Sequence, residues 1–199
     1  MFKNDPRYTS EMIVNTLIPY RSRQIRFYNQ RAYKYLSMPY GTKLMSRSGC
    51  GPFACAIAAS SLLGRMITPE YAAHWALKNN LLDETGTSRE MISAFSKHVG
   101  LSCEDMAFDL EKMEHYIRSH HALAILLCRS GSFARGNHYV VVGVKGKHLK
   151  VYNSANVLDC YKRFTLSDLE AALVSRDIGI GPVWCVTTDS GDHRNVCQS

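Results

Sequence analysis

The stretch Ser48-Gly49-Cys50-Gly51-Pro52-Phe53-Ala54-Cys55-Ala56-Ile57-Ala58-Ala59-Ser60-Ser61-Leu62-Leu63-Gly64 decides how this chain is read. A glycine turn feeds a helix that carries Pro52 in its first turn, where a missing N–H costs nothing, and Gly64 at its stop, where positive φ is cheap. Beyond Pro52 the residues are small and apolar on every side, the pattern of a helix buried all round rather than an amphipathic surface helix. Cys50 therefore stands at the mouth of a buried helix. Free N–H groups and the positive end of the macrodipole stabilise a thiolate there, and they can also face a developing oxyanion. The simpler reading is a small buried hydrophobe, as most free cysteines are. The rest of the chain has to decide between the two.

Upstream, Ser10 is placed to cap a short helix through Met12, Ile13, Thr16 and Leu17 that stops before Pro19. Ile25 to Tyr28 reads as a short strand, and Asn29-Gln30 opens an irregular, tyrosine-rich connection through Pro39-Tyr40-Gly41-Thr42 to the cysteine helix. Downstream, Thr68-Pro69-Glu70 is an N-cap, a first-turn proline and a first-turn acid in a row. The helix it opens carries Tyr71, His74, Trp75 and Lys78. Thr87 and Glu90 have capping-box spacing ahead of a helix through Met91, Ala94, Phe95 and His98 to Gly100. Asp109 starts another through Met113, Tyr116 and Ile117.

The pattern then changes. Ala122 to Cys128 is a continuous apolar run of strand length, and so buried on both faces. Ser130 to Asn137 is a polar, glycine-containing loop, and His138 to Val144 is β-branched and strand-like. Lys145-Gly146-Lys147 is a hairpin connection, with His148 to Asn153 returning antiparallel. Ser167 and Glu170 suggest a second capping box, for a helix through Leu169, Ala172 and Leu173. Pro182 to Thr188 is a last strand. Helices first and a hairpin-linked antiparallel sheet second make an α+β chain.

The 199 residues, 46% of them hydrophobic, suit one domain at 29–188, with an extension at 1–28 and a loose tail at 189–199. The longest apolar runs have strand length, so no transmembrane segment is expected. The N-terminus lacks the apolar block of a secretion signal, and the chain as given reads as cytoplasmic, export without a cleaved signal staying open. Seven scattered cysteines with no Cys-x-x-Cys pair indicate reduced thiols, no structural metal and no cofactor. Cys55 reads as core, His120-His121 as a helix end, His74 and His98 as satisfied helix histidines, and Asp83-Glu84 as loop charges. The net charge of +7 is concentrated partly in Arg21, Arg23, Arg26, Arg31 and Lys34, interleaved with Tyr20, Phe27, Tyr28 and Tyr33. Such a segment is more often a solvated edge whose aromatics face the core, which argues against nucleic-acid binding.

A thiol nucleophile needs an imidazole to take its proton and a polar group to hold that imidazole. His138 begins the clearest strand, just after a glycine loop. If the hairpin turns near Gly146, His138 and Asn153 lie at its open end, one residue out of register, and Asn153 can accept a hydrogen bond from the ring. Taken singly, each residue has a plain structural explanation; with Cys50 they form a constellation.

Ser48-Gly49-Cys50-Gly51-Pro52, Gly86-Thr87-Ser88, Gly136-Asn137-His138-Tyr139-Val140-Val141-Val142-Gly143-Val144 and Val151-Tyr152-Asn153-Ser154 follow in the order of the papain-like cysteine peptidases. The chain resembles their C-39-like branch, whose best-known relatives trim double-glycine leaders from bacteriocins. The resemblance runs from about Gln30 to Asn156, with a last strand at Pro182 to Thr188. It implies a peptide or protein substrate, Cys50 as nucleophile, His138 as general base and acid, and Asn153 as orienting residue. It also implies that Gln30 joins the Cys50 N–H in an oxyanion hole, with Gln24 lying nearby as an alternative. The branch often reads Asp-Pro where this chain has Asn153-Ser154, so Asn156 or a neighbour stays open as the third member. No Gly-x-x-x-x-Gly-Lys-Ser/Thr stretch accompanies it, so a free-standing domain is expected. A binding module that has lost turnover, or an acyltransferase or transpeptidase on the same residues, would keep the same pattern.

Overall fold

A computed structural model describes residues 15–20, 23–84, 86–174 and 180–188. The chain enters through an antiparallel hairpin, β1 (Asn15–Tyr20) and β2 (Arg23–Tyr28). Thr16 and Leu17, expected on a helix, are strand residues opposite Phe27 and Arg26. Local spacing favoured a helix there, but a β-rich partner segment lies just downstream, and pairing with it overrides a weak local preference. Ser10, Met12 and Ile13 lie outside the described residues. Ile25, Phe27 and Tyr28 of β2 are buried.

The connection to the cysteine helix holds a 3-10 turn at Tyr33–Tyr35, a small ladder of β3 (Pro39–Tyr40) with β4 (Lys43–Leu44), and a single turn, α1 (Met45–Ser48). The expected buried helix is α2 (Cys50–Leu63), in which every residue from Gly51 to Leu62 is buried. It closes on Gly64 at φ +65°, a conformation that glycine adopts without strain. α3 (Pro69–Lys78) starts as its sequence dictates, the Thr68 hydroxyl accepting from the Tyr71 N–H at 3.2 Å. α4 (Glu90–His98) has Arg89 rather than Thr87 at its N-cap. Thr87 instead lies in β6 (Gly86–Thr87), paired with β5 (Leu82–Asp83), and its hydroxyl shares a hydrogen bond of 3.0 Å with the Tyr40 hydroxyl.

The second half is a five-stranded antiparallel sheet built from β7 (Ser102–Ala107), β8 (Leu123–Cys128), β9 (His138–Lys145), β10 (His148–Tyr152) and β11 (Val183–Thr187). Its strand order is β10-β9-β8-β11-β7. α5 (Leu110–Ser119) is capped by Asp109, which accepts from the Lys112 N–H at 2.8 Å. α6 (Leu166–Ala172) is opened by a capping box, but Thr165 with Asp168 forms it rather than Ser167 with Glu170. The Phe164 N–H donates to Leu149 O at 3.2 Å and keeps the chain extended up to Thr165, which sets the helix start two residues early.

The central strands β8, β9 and β11 are buried on both faces, and their residues alternate between two cores. Leu123, Ile125, Leu127, Tyr139 and Val141 pack with α2, α3 and α4. Ala124, Leu126, Cys128, Val140 and Val142 pack with α5 and α6. This is why β8 shows no polar position: each of its Leu and Ile side chains is worth about 1.5–3 kcal/mol when buried on either face. The α+β expectation holds, and the helices expected after Asp109 and around Leu169, α5 and α6, cover the far side of the sheet. No helix among the described residues is long and apolar enough to cross a membrane.

Candidate active site

Cys50 is the first residue of α2, and its N-cap Gly49 uses no side-chain cap. The thiol is half-buried. Burial pushes its pKa up, and the backbone N–H groups of Tyr139, Gly51 and Cys50 itself oppose that rise. Tyr139 follows His138 in β9, so α2 and β9 meet with the thiol against the first residues of the strand.

His138 is 3% exposed, and its Nε2 lies 2.8 Å from Asn153 Oδ1. Asn153, fully buried just past β10, donates from Nδ2 to Phe133 O at 3.0 Å and to Asp159 Oδ2 at 2.8 Å. A carbonyl and a carboxylate can only accept, so the amide cannot be flipped and Oδ1 must face the ring. The His138 Nε2 therefore carries the proton, and Nδ1 is left bare to accept one. Burial pulls the His138 pKa down to about 4, with the nearby Arg31 adding to the effect; the Asn153 bond and Asp159 act the other way. The ring is neutral at pH 7.

The hairpin register differs from the expected one. Lys145 pairs with His148 and Val141 with Tyr152, so Gly146-Lys147 forms the two-residue turn and Asn153 falls two residues, not one, from the level of His138. A diagonal contact of that kind is within reach of long side chains. Asn156, the alternative third residue, is occupied elsewhere. Its Oδ1 caps the Leu158 N–H at 3.2 Å and its Nδ2 reaches Asp159 Oδ2 at 3.3 Å.

Gln30 is 2% exposed and held from three directions. Its backbone N–H donates to Ser154 O at 2.8 Å, its Nε2 donates to Met45 O at 3.1 Å, and its Oε1 accepts from the Ser154 hydroxyl at 3.0 Å. Gln30 thus joins the α1 turn that precedes Cys50 to the segment that carries Asn153. Gln24 is exposed and lines a cavity of about 390 Å³ with Arg26, Ser60, Ser61 and Gly64, at the end of α2 remote from Cys50. With 14 residues in α2, the two ends are about 20 Å apart.

Three groups at the site were given no role from the sequence: Asp159, which lies outside the motifs, and Ser154 and the Tyr139 N–H, which lie within them. Asp159 is the only carboxylate between His138 and Asp168, which is the one hint the sequence offers. Among the described residues no cluster of three His, Cys, Asp or Glu side chains could hold a metal ion.

These elements define a C-39-like peptidase fold, with the cysteine helix packed on the strand that begins with the histidine. One solved structure it is similar to is the peptidase domain of Streptococcus ComA, a bi-functional ABC transporter involved in a quorum sensing pathway. The two share a TM-score of 0.52 and 14% identity, the match covering 71% of this chain and 93% of that one. No family model matches the sequence, and no curated protein does.

Proposed function

We propose that this chain is a cysteine peptidase that cleaves a peptide or isopeptide bond through an acyl-enzyme. The observation that carries the reading is the His138–Asn153 bond, whose fixed polarity leaves Nδ1 as the ring's proton acceptor, one residue before the Tyr139 backbone that meets the Cys50 thiol. In this mechanism Nδ1 takes the Cys50 proton as Sγ attacks the substrate carbonyl carbon. The oxyanion is met by the Cys50 N–H and by the second N–H of Gln30 Nε2, the first being engaged by Met45 O. The imidazolium then protonates the leaving amine, and a thioester remains. Water, deprotonated by Nδ1, attacks that thioester, the C–Sγ bond breaks to release the acid, and the proton on Nδ1 returns to Cys50 Sγ. A resting site with thiol and imidazole both neutral suits a base that acts when substrate arrives.

Site-resolved alkylation tests the reading. The protein is treated with iodoacetamide across pH 5 to 9, modified cysteines are mapped by mass spectrometry, and a mixture of unstructured peptides is assayed for new N-termini. Cys50 is expected to react fastest, well ahead of the equally half-buried Cys103, because burial pushes both thiols up but only Cys50 has a proposed base, His138, to take its proton. Peptide cleavage is expected to vanish in Cys50→Ser. Cys50 reacting no faster than Cys103 would sink the enzyme reading and leave a binding module.

The oxyanion role of Gln30 has its own test. Gln30→Leu should lower kcat by about 100-fold with little change in KM, the usual cost of one lost oxyanion donor. Ser154→Ala breaks the same Oε1 contact without removing the donor, and should cost far less. Equal losses in steady-state kinetics would make Gln30 a structural clasp only.

A further inference from the structure

Behind Asn153 lies a group that the motif did not supply. Asp159 sits in the 3-10 turn Val157–Tyr161 and is 5% exposed. Its Oδ2 accepts from Asn153 Nδ2 at 2.8 Å and from Asn156 Nδ2 at 3.3 Å, and its Oδ1 takes Lys162 Nζ at 2.6 Å. Asn153 is saturated: Oδ1 receives the His138 ring and the Ala155 N–H, and Nδ2 gives to Phe133 O and Asp159. One amide thus separates a buried carboxylate from the imidazole.

We propose that Asp159 is a positioning residue that supplies, through the Asn153 amide, the negative charge against which the His138 imidazolium forms. The inference rests on the peptidase reading of the site. An amide whose N–H donates to a carboxylate has a more negative carbonyl oxygen, so the bond from His138 Nε2 strengthens as the ring gains its proton. The need for such a charge is local. Burial and Arg31 both disfavour a charged ring, and Asp159 opposes them. The other titratable neighbours do not replace it: Cys160 is a buried thiol pushed up to about 12 and so uncharged at pH 7, Lys162 is a cation, and Lys150 acts on Cys160 from the strand side. The geometry also explains why an amide stands at position 153. A carboxylate there would meet Phe133 O and the Asp159 carboxylate at hydrogen-bond distance with no proton between them.

The test uses the intact protein, iodoacetamide as probe, and the pH profile of Cys50 alkylation as readout, with melting temperature followed in parallel. Asp159→Asn keeps an oxygen that can accept from Asn153 and removes the charge. It should slow Cys50 alkylation about tenfold at pH 6–7 while leaving the rate at pH 9 within about twofold of wild type. Asn153→Asp alone should also slow it, and Asn153→Asp combined with Asp159→Asn should recover most of the rate, because one carboxylate again faces one ring. Lys162→Gln, at a largely exposed position, should act in the opposite direction, speeding the pH 6 reaction about twofold. That arm decides the matter if Asp159→Asn fails to fold. A purely structural Asp159 would lower the melting temperature without recovery in the double variant. Profiles of Asp159→Asn and Lys162→Gln that superimpose on wild type, or a double variant as slow as the singles, overturn the inference. A wild-type profile that depends on His138 but not on Asp159 sinks this inference alone; independence from His138 sinks the peptidase reading with it.

Discussion

His138→Ala is expected to lower turnover of any peptide the wild type cleaves by about a thousandfold or more, the usual loss when a nucleophile's base is removed. The same variant is expected to resist acid better. His138 is the group on which both effects converge, because its ring is buried in the neutral form. The unfolded chain takes up a proton at this residue near pH 6.5, whereas the folded one does so only near 4. Between those values the unfolded state holds the extra proton, so stability falls as the pH falls through that window. By pH 4.5 the wild type should have lost about 2–3 kcal/mol through this residue, and His138→Ala should lose correspondingly less between pH 7 and 4.5. Denaturant melts at the two pH values, read beside kinetics at pH 7, check both halves. Equal acid sensitivity in the two proteins would mean that the ring is not held neutral. Retained turnover would mean that it is not the base.

Gly51→Ala should produce the second large effect, by geometry alone. A Cβ built on Gly51 would lie 2.5 Å from Thr87 Cγ2, 2.6 Å from its Cβ and 2.7 Å from its Oγ1. None of these atoms is free to retreat. Thr87 is paired with Leu82 and bonded through its hydroxyl to Tyr40, while α2 is buried along its length. Overpacking of this kind costs about 1–3 kcal/mol. The helix start that carries Cys50 would have to move, and a misplacement of about 1 Å costs about 100-fold in rate. Thr87→Ala should not rescue the variant, because the Cβ contact persists, whereas Thr87→Gly should. Urea melts and Cys50 alkylation rates on the four proteins check this. An unperturbed single variant would show that β6 yields easily.

The contrast between these two residues marks how far sequence reading reached. The glycines around Cys50 and the proline after it are local signals, and α2 starts and stops where they place it. His138 and Asn153 were legible because a hairpin turns a sequence interval into a spatial one. Even so, the register was off by one residue, since Lys145 belongs to the strand and not to the turn. Asp159 was not legible: it reaches Asn153 because a 3-10 turn doubles the chain back, and no periodicity announces that. Thr87 looked like a helix cap because its spacing to Glu90 fits one, yet pairing with β5 claimed its backbone and Tyr40 its hydroxyl. The segment Thr16–Leu17 was misread for a similar reason. A short window shows its own preference and not the partner strand waiting beside it.

The clasp between Gln30 and Ser154 joins residues 124 positions apart. Its consequence is one of timing. Contacts so distant in sequence form late, after the loop between them has closed. As the polypeptide emerges, the helix bearing the thiol is complete long before Ser154, Asn153 or Asp159 has been made. The proposed nucleophile therefore exists for a time without the amide that would hold its proposed base or the clamp that would aim Gln30. On the proposed peptidase reading, the complete site exists only once the two ends of that loop have met.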